Sequence, residues 1–180
     1  MSGAEARLDD PAGLDLREIS RAALVTAAGL ALPWVFHALR VGHVFLPMYL
    51  PLLAGGFFLR PRTAATTGAA TPLVSAAVTG MPPFFPPVAL WMAIELALMT
   101  GLASLLHRPR RVPPWAIVAI VLVVGRVVYA LLVYATSLWL DLPARIMTVA
   151  SLLAGWPGMV LALVSVPSAV ELVQRTRRIA

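Results

Sequence analysis

Two charged side chains stand where charge is expensive. Glu95 and Arg126 each lie inside a long apolar run. A charge within a membrane-spanning helix costs about 2.5–3.5 kcal/mol on insertion scales, so each needs a partner or a purpose. An ion pair between the two would neutralise both inside a bundle. The other reading turns at least one toward a solute cavity open to the outside, where a guanidinium would match a carboxylate bidentately. Trp91, Met92, Glu95 and Met99 share a helical face by their i, i+3, i+4 spacing. Tyr129 follows Arg126 by about one turn. Aromatic and methionine side chains around one or two fixed charges are the usual lining of a small-molecule pocket. Tyr134 and Trp139, nearer the end of the same run, fit interfacial anchoring better.

Other chemistry is excluded by what is missing. There is no cysteine, hence no disulfide, thiolate metal site or cysteine nucleophile. All 14 basic residues are arginine, so a Schiff-base or P-loop lysine is also absent. No HExxH, no Gly-rich phosphate loop and no paired carboxylates on one helix occur. The expectation is a non-enzyme with no resident metal or cofactor. The net charge of +6 does not point to nucleic acid, because the arginines are scattered among apolar runs.

The elements that must position these residues are membrane helices. Of 180 residues, 60% are apolar and 12% charged, against roughly 45–50% and about 25% in soluble domains. Six apolar segments follow a mixed-charge N-terminal tail (1–20): 22–39, 44–59, 64–80, 88–106, 115–140 and 146–170. Spanning helices need about 17–25 residues. The second segment is short and carries Pro47 and Pro51, which makes 44–51 a candidate cavity wall, since irregular backbone at membrane depth needs cover. The six spans form one domain, 21–174, before a basic tail at 175–180.

Arginine placement sets the orientation. One set of connectors, together with both tails, holds Arg7, Arg17, Arg21, Arg60, Arg62, Arg108, Arg110, Arg111, Arg175, Arg177 and Arg178. The opposite set holds only Arg40 and Arg145. By the positive-inside rule both termini are cytoplasmic, which requires an even number of spans. The expected fold is an all-α membrane protein, six transmembrane helices in one bundle. Glu95 then lies about 10 Å, and Arg126 roughly 21 Å, from the outer ends of their segments at ~1.5 Å per residue.

Three further features invite a role. The 81–87 connector, Met81-Pro82-Pro83-Phe84-Phe85-Pro86-Pro87, is uncharged and stiff. It either rests on lipid or folds over an outward pocket as a lid, and the lid is favoured. His43 is a polar loop residue or a ligand contact. Ala23, Ala27 and Ala31 recur at i, i+4, i+8, a small-residue face that lets helices approach closely. It could meet the rest of the bundle or another membrane protein.

The run His43-Val44-Phe45-Leu46-Pro47-Met48-Tyr49-Leu50-Pro51, continuing through Gly55 to Arg60-Pro61, resembles the second segment of substrate-binding S components of energy-coupling factor (ECF) vitamin transporters. Gly68, Pro72 and Leu73 extend the resemblance, as do Gly80-Met81-Pro82-Pro83 with Phe85-Pro86. So do Glu95-Leu96-Ala97, Gly125-Arg126 and Gly155-Trp156-Pro157-Gly158. It covers residues 22–173.

The resemblance implies six membrane helices with both termini inside and a substrate site near the outer face. It implies a lid at 81–87, with Trp91, Glu95, Arg126 and Tyr129 as pocket residues. His43, Met48, Met81, Phe84 and Phe85 join them as substrate-binding candidates. It also implies that the face of Ala23, Ala27 and Ala31 docks onto a coupling membrane protein seated on two ATPase subunits. The chain would then hydrolyse nothing itself and would sit in a bacterial cell membrane. The most similar group includes pantothenate-type transporters, whose substrate carries a carboxylate. A self-sufficient proton-coupled carrier using Glu95 is the rival expectation, and an assembly protein without a small ligand is a third.

Overall fold

A computed structural model describes residues 15–38, 47–109, 112–140 and 155–179. Among these residues the chain is all-α, with six helices: α1 Leu16–Ala38, α2 Tyr49–Gly56, α3 Pro61–Thr79, α4 Val88–His107, α5 Pro114–Trp139 and α6 Trp156–Ile179. Four of them, α1, α4, α5 and α6, are long and apolar enough to cross a membrane. The second and third expected spans differ from these. Helix α2 is eight residues long. Helix α3 has 19 residues but is rich in threonine. Several of its hydroxyls turn back on their own helix, as Thr71 does to the Thr67 carbonyl at 2.7 Å and Thr79 to that of Ser75 at 2.7 Å.

Proline and glycine mark the ends. Arg60 is extended (ψ 151°) and Pro61 opens α3, a position where its missing N–H costs nothing. Gly80 takes a left-handed conformation (φ 73°) and closes α3. Pro114 opens α5 after an extended Pro113. The helix boundaries nevertheless depart from the apolar runs at both ends of the chain. Helix α1 begins six residues before the apolar segment, within the stretch of the tail expected to be helical from Leu14 onward, and Asp15 caps it by accepting the Arg17 N–H at 3.2 Å. The last helix starts at Trp156 after a left-handed Gly155 and runs on to Ile179, through part of the expected basic tail. Residues 146–154 of the expected sixth segment lie outside the described residues.

The short α2 is the centre of the bundle. It packs against α1, α3, α4 and α6. Its Leu52 and Leu53, with Met48 and Phe57, join Leu96, Met99 and Ala103 of α4 and Val118 and Val121 of α5 in one buried cluster. Ala162, Val166 and Val170 of α6 complete it. Two hydroxyls tie α4 to its neighbours: Thr100 donates to the Ala64 carbonyl at 2.8 Å and Ser104 to the Leu59 carbonyl at 2.7 Å. Helix α1 lies on α2 and α3, and only 6% of its apolar window is buried.

Candidate functional site

The two intramembrane charges meet. Helices α4 and α5 pack along one another, and Gly125 brings them close. A Cβ there would run into the Met99 side chain, which would have to move to admit it. Met99 is one turn from Glu95, and Gly125 adjoins Arg126. Beside this contact the guanidinium faces the carboxylate: Arg126 Nη2 is 3.8 Å from Glu95 Oε1.

Around this pair the sequence-expected residues converge in part. The Arg126 guanidinium carbon lies 5.5 Å from the centre of the Tyr129 ring, within cation–π range. Tyr129 in turn meets the Trp91 ring edge-on at 6.1 Å between centroids. Trp91 is buried, and its indole N–H donates to Oγ1 of Thr136 at 3.1 Å. Residues 91, 95, 126 and 129 thus form one connected cluster between α4 and α5.

Two participants were not among the expected site residues. Tyr49, at the start of α2, donates its hydroxyl to Oε2 of Glu95. A tyrosine in an apolar run signals a buried hydroxyl in need of a partner, but which partner is invisible in sequence because the two are 46 residues apart. Thr136 is the other, and nothing local distinguishes it.

The remaining candidates are placed elsewhere. Met48 is buried in the apolar core. Met81, Phe84 and Phe85 are exposed, at the ends of α3 and α4. Their loop is held through its carbonyls: the Ser75 hydroxyl donates to that of Met81 at 2.7 Å, and the Ala89 N–H to that of Pro83 at 3.1 Å. Its peptide bonds Met81-Pro82 and Phe85-Pro86 are cis. His43 lies outside the described residues. Tyr134 and Trp139 are exposed, as anchoring residues are. Among the described residues no group of three or more histidine and acidic side chains could hold a metal ion.

The small-residue face of α1 is uncovered. Ala23, Ala27 and Ala31 are exposed, whereas Gly29 is buried where its helix meets Thr71 and Leu52. Beside that face runs a groove of about 510 Å³, with Ala27, Leu30, Ala31 and Trp34 on one wall and Val78 and Thr79 on the other.

Among the described residues, fold and site together define an all-helical protein with apolar helices suited to a membrane and a charged cluster between α4 and α5. No family model, curated protein or solved structure matches this chain.

Proposed function

We propose that this chain is the substrate-binding subunit, the S component, of an ECF-type importer. It spans the cell membrane six times with both termini in the cytoplasm. It captures a vitamin or related small molecule at the outer face and yields it to a coupling membrane protein driven by two ATPases. The exposed face of Ala23, Ala27 and Ala31 carries this reading. Helix α1 packs on its own bundle through a different side, which leaves the alanines and the adjoining groove for another apolar helix to approach. The Arg126 cluster supports a solute site, because it joins two charges to the Tyr129 ring and, through it, to Trp91, the mixture of groups that lines small-molecule pockets.

Thermal unfolding of the purified protein in detergent, against a panel of water-soluble vitamins, tests the binding half. A ligand at 100 times its dissociation constant stabilises by about 2.7 kcal/mol, which a melting curve resolves. Co-purification with a coupling protein and two ATPases, lost on Ala27→Trp while vitamin binding persists, tests the docking half. No shift with any vitamin and no association would sink the proposal. Uptake in a cell without coupling partners, abolished by Glu95→Gln, would replace it with the proton-coupled carrier.

A further inference from the structure

The connector of residues 81–87 joins α3 to α4 with its apolar side chains turned outward. Phe85 is 75% exposed and Phe84 53%, and Met81 is exposed as well. A lid closed over a pocket would turn them inward. The backbone of this connector is also short of free polar groups. Pro82, Pro83, Pro86 and Pro87 have no N–H, and the Met81 N–H donates to Oγ1 of Thr79 at 3.2 Å. The Met81 carbonyl accepts from the Ser75 hydroxyl. Those of Pro83, Pro86 and Pro87 accept in turn from the N–H groups of Ala89, Val88 and Trp91. Backbone can leave water only where its polar groups are satisfied within the protein. This loop comes close to that state without being part of a helix.

Its place in the bundle points to the partner. The groove sets Trp34 of α1 beside Val78 and Thr79 at the end of α3. The Trp91–Thr136 hydrogen bond sets the end of α5, with Tyr134 and Trp139, beside the start of α4. Trp34, Phe84, Phe85, Tyr134 and Trp139 are all exposed, so they gather at one end of the bundle. At the opposite end Glu18 meets the Arg60 amide, Ser104 meets Leu59 and His107 meets Gln174. Among the described residues, every charged one except Glu95 and Arg126 lies toward that second end. Exposed aromatic residues at the end of apolar helices are what a membrane–water boundary selects. Leu90, Ile94 and Leu98 carry the apolar surface onward from the loop along one exposed face of α4, a helix apolar enough to cross a membrane.

We propose that the 81–87 connector is a preformed membrane anchor: it seats Phe84 and Phe85 at the boundary between lipid headgroups and acyl chains, and its partner is lipid, not a bound solute. The Ser75, Thr79 and Ala89 hydrogen bonds fix its shape before it meets the bilayer. The anchor does not depend on the importer reading and stands or falls separately from it.

The test uses the full chain in phosphatidylcholine vesicles. The sequence has no cysteine, so a nitroxide on Phe85→Cys marks one site. Its collisions with oxygen, which concentrates in the acyl region, are compared with those of a water-soluble nickel complex. Labels on Ile94→Cys and Arg62→Cys give the lipid and water references. The Phe85 label is expected to meet oxygen readily and the nickel complex severalfold less than the Arg62 label does. Adding Phe84→Asp is expected to raise nickel access at the same label, because the anchor is lost. Nickel access equal to that at Arg62 would put the loop in water and overturn the proposal. A label shielded from both oxygen and nickel would make the loop a lid against protein and overturn it as well. So would a depth unchanged by Phe84→Asp, which would show that the rest of the bundle sets it. If Phe85→Cys does not fold, the same collisions at Phe84→Cys, without and with Phe85→Asp, decide in the same way.

Discussion

The indole N–H of Trp91 donates to Oγ1 of Thr136 at 3.1 Å, locking a turn of α4 to the far end of α5. Trp91 is 4% exposed, while Trp34, Trp115, Trp139 and Trp156 are all at least 60% exposed. In vesicles containing brominated lipids, the four outer tryptophans are expected to be quenched and Trp91 protected. The residual emission should disappear in Trp91→Phe. Equal quenching of wild type and variant would contradict the packing of α4 against α5.

Gly125 of α5 lies directly against the Met99 side chain of α4. Gly125→Ala forces the buried Met99 aside and is expected to cost about 1–3 kcal/mol, the usual penalty of overpacking. Met99→Ala in the same chain makes room, so the double variant should lose less than the two single losses added together. Strict additivity in thermal unfolding would show that the two residues are not in contact.

Breaking the ion pair should cost more than deleting it. Glu95→Ala leaves a largely buried guanidinium and the Tyr49 hydroxyl without the carboxylate, and a loss of about 3–5 kcal/mol is expected. Replacing Glu95 and Arg126 together by leucine removes both charges and should be milder in unfolding experiments. On the proposed binding role, the same double variant is expected to lose vitamin binding. Retained vitamin binding would make the cluster purely structural.

Glu18 is buried near the start of α1, and its Oε1 accepts the Arg60 N–H at 2.5 Å. It therefore reaches across 42 residues to the extended residue that precedes α3. Glu18→Ala should cost about 1–2 kcal/mol by leaving that donor without its carboxylate. Hydrogen exchange at the Arg60 amide should accelerate, with smaller changes in α4. An unchanged rate at Arg60 would refute the tether.

The helices at 61–79, 88–107 and 114–139 are close to the apolar runs at 64–80, 88–106 and 115–140, because proline and glycine punctuate them locally. The eight-residue α2 is harder to read. Its run continues to Leu59, but Phe57 and Phe58 turn back on Ala54 and Gly55, and that turn is set by the helices around it. Helix α1 reaches back over Arg17, Glu18 and Arg21, because Asp15 caps it and Glu18 finds a partner on another segment.

By itself the sequence determined the helical class, its membrane-suited apolarity and the presence of one acid and one base in successive segments. Those properties follow from composition and local periodicity. Only the tertiary structure decided that Glu95 divides its oxygens between Tyr49 and Arg126, that Met48 belongs to the core, and that Ala23, Ala27 and Ala31 stay uncovered. Each depends on the rotation of one helix about its axis against another. That rotation is set by where close packing is permitted, as Gly125 permits it against Met99, and no single segment contains that information.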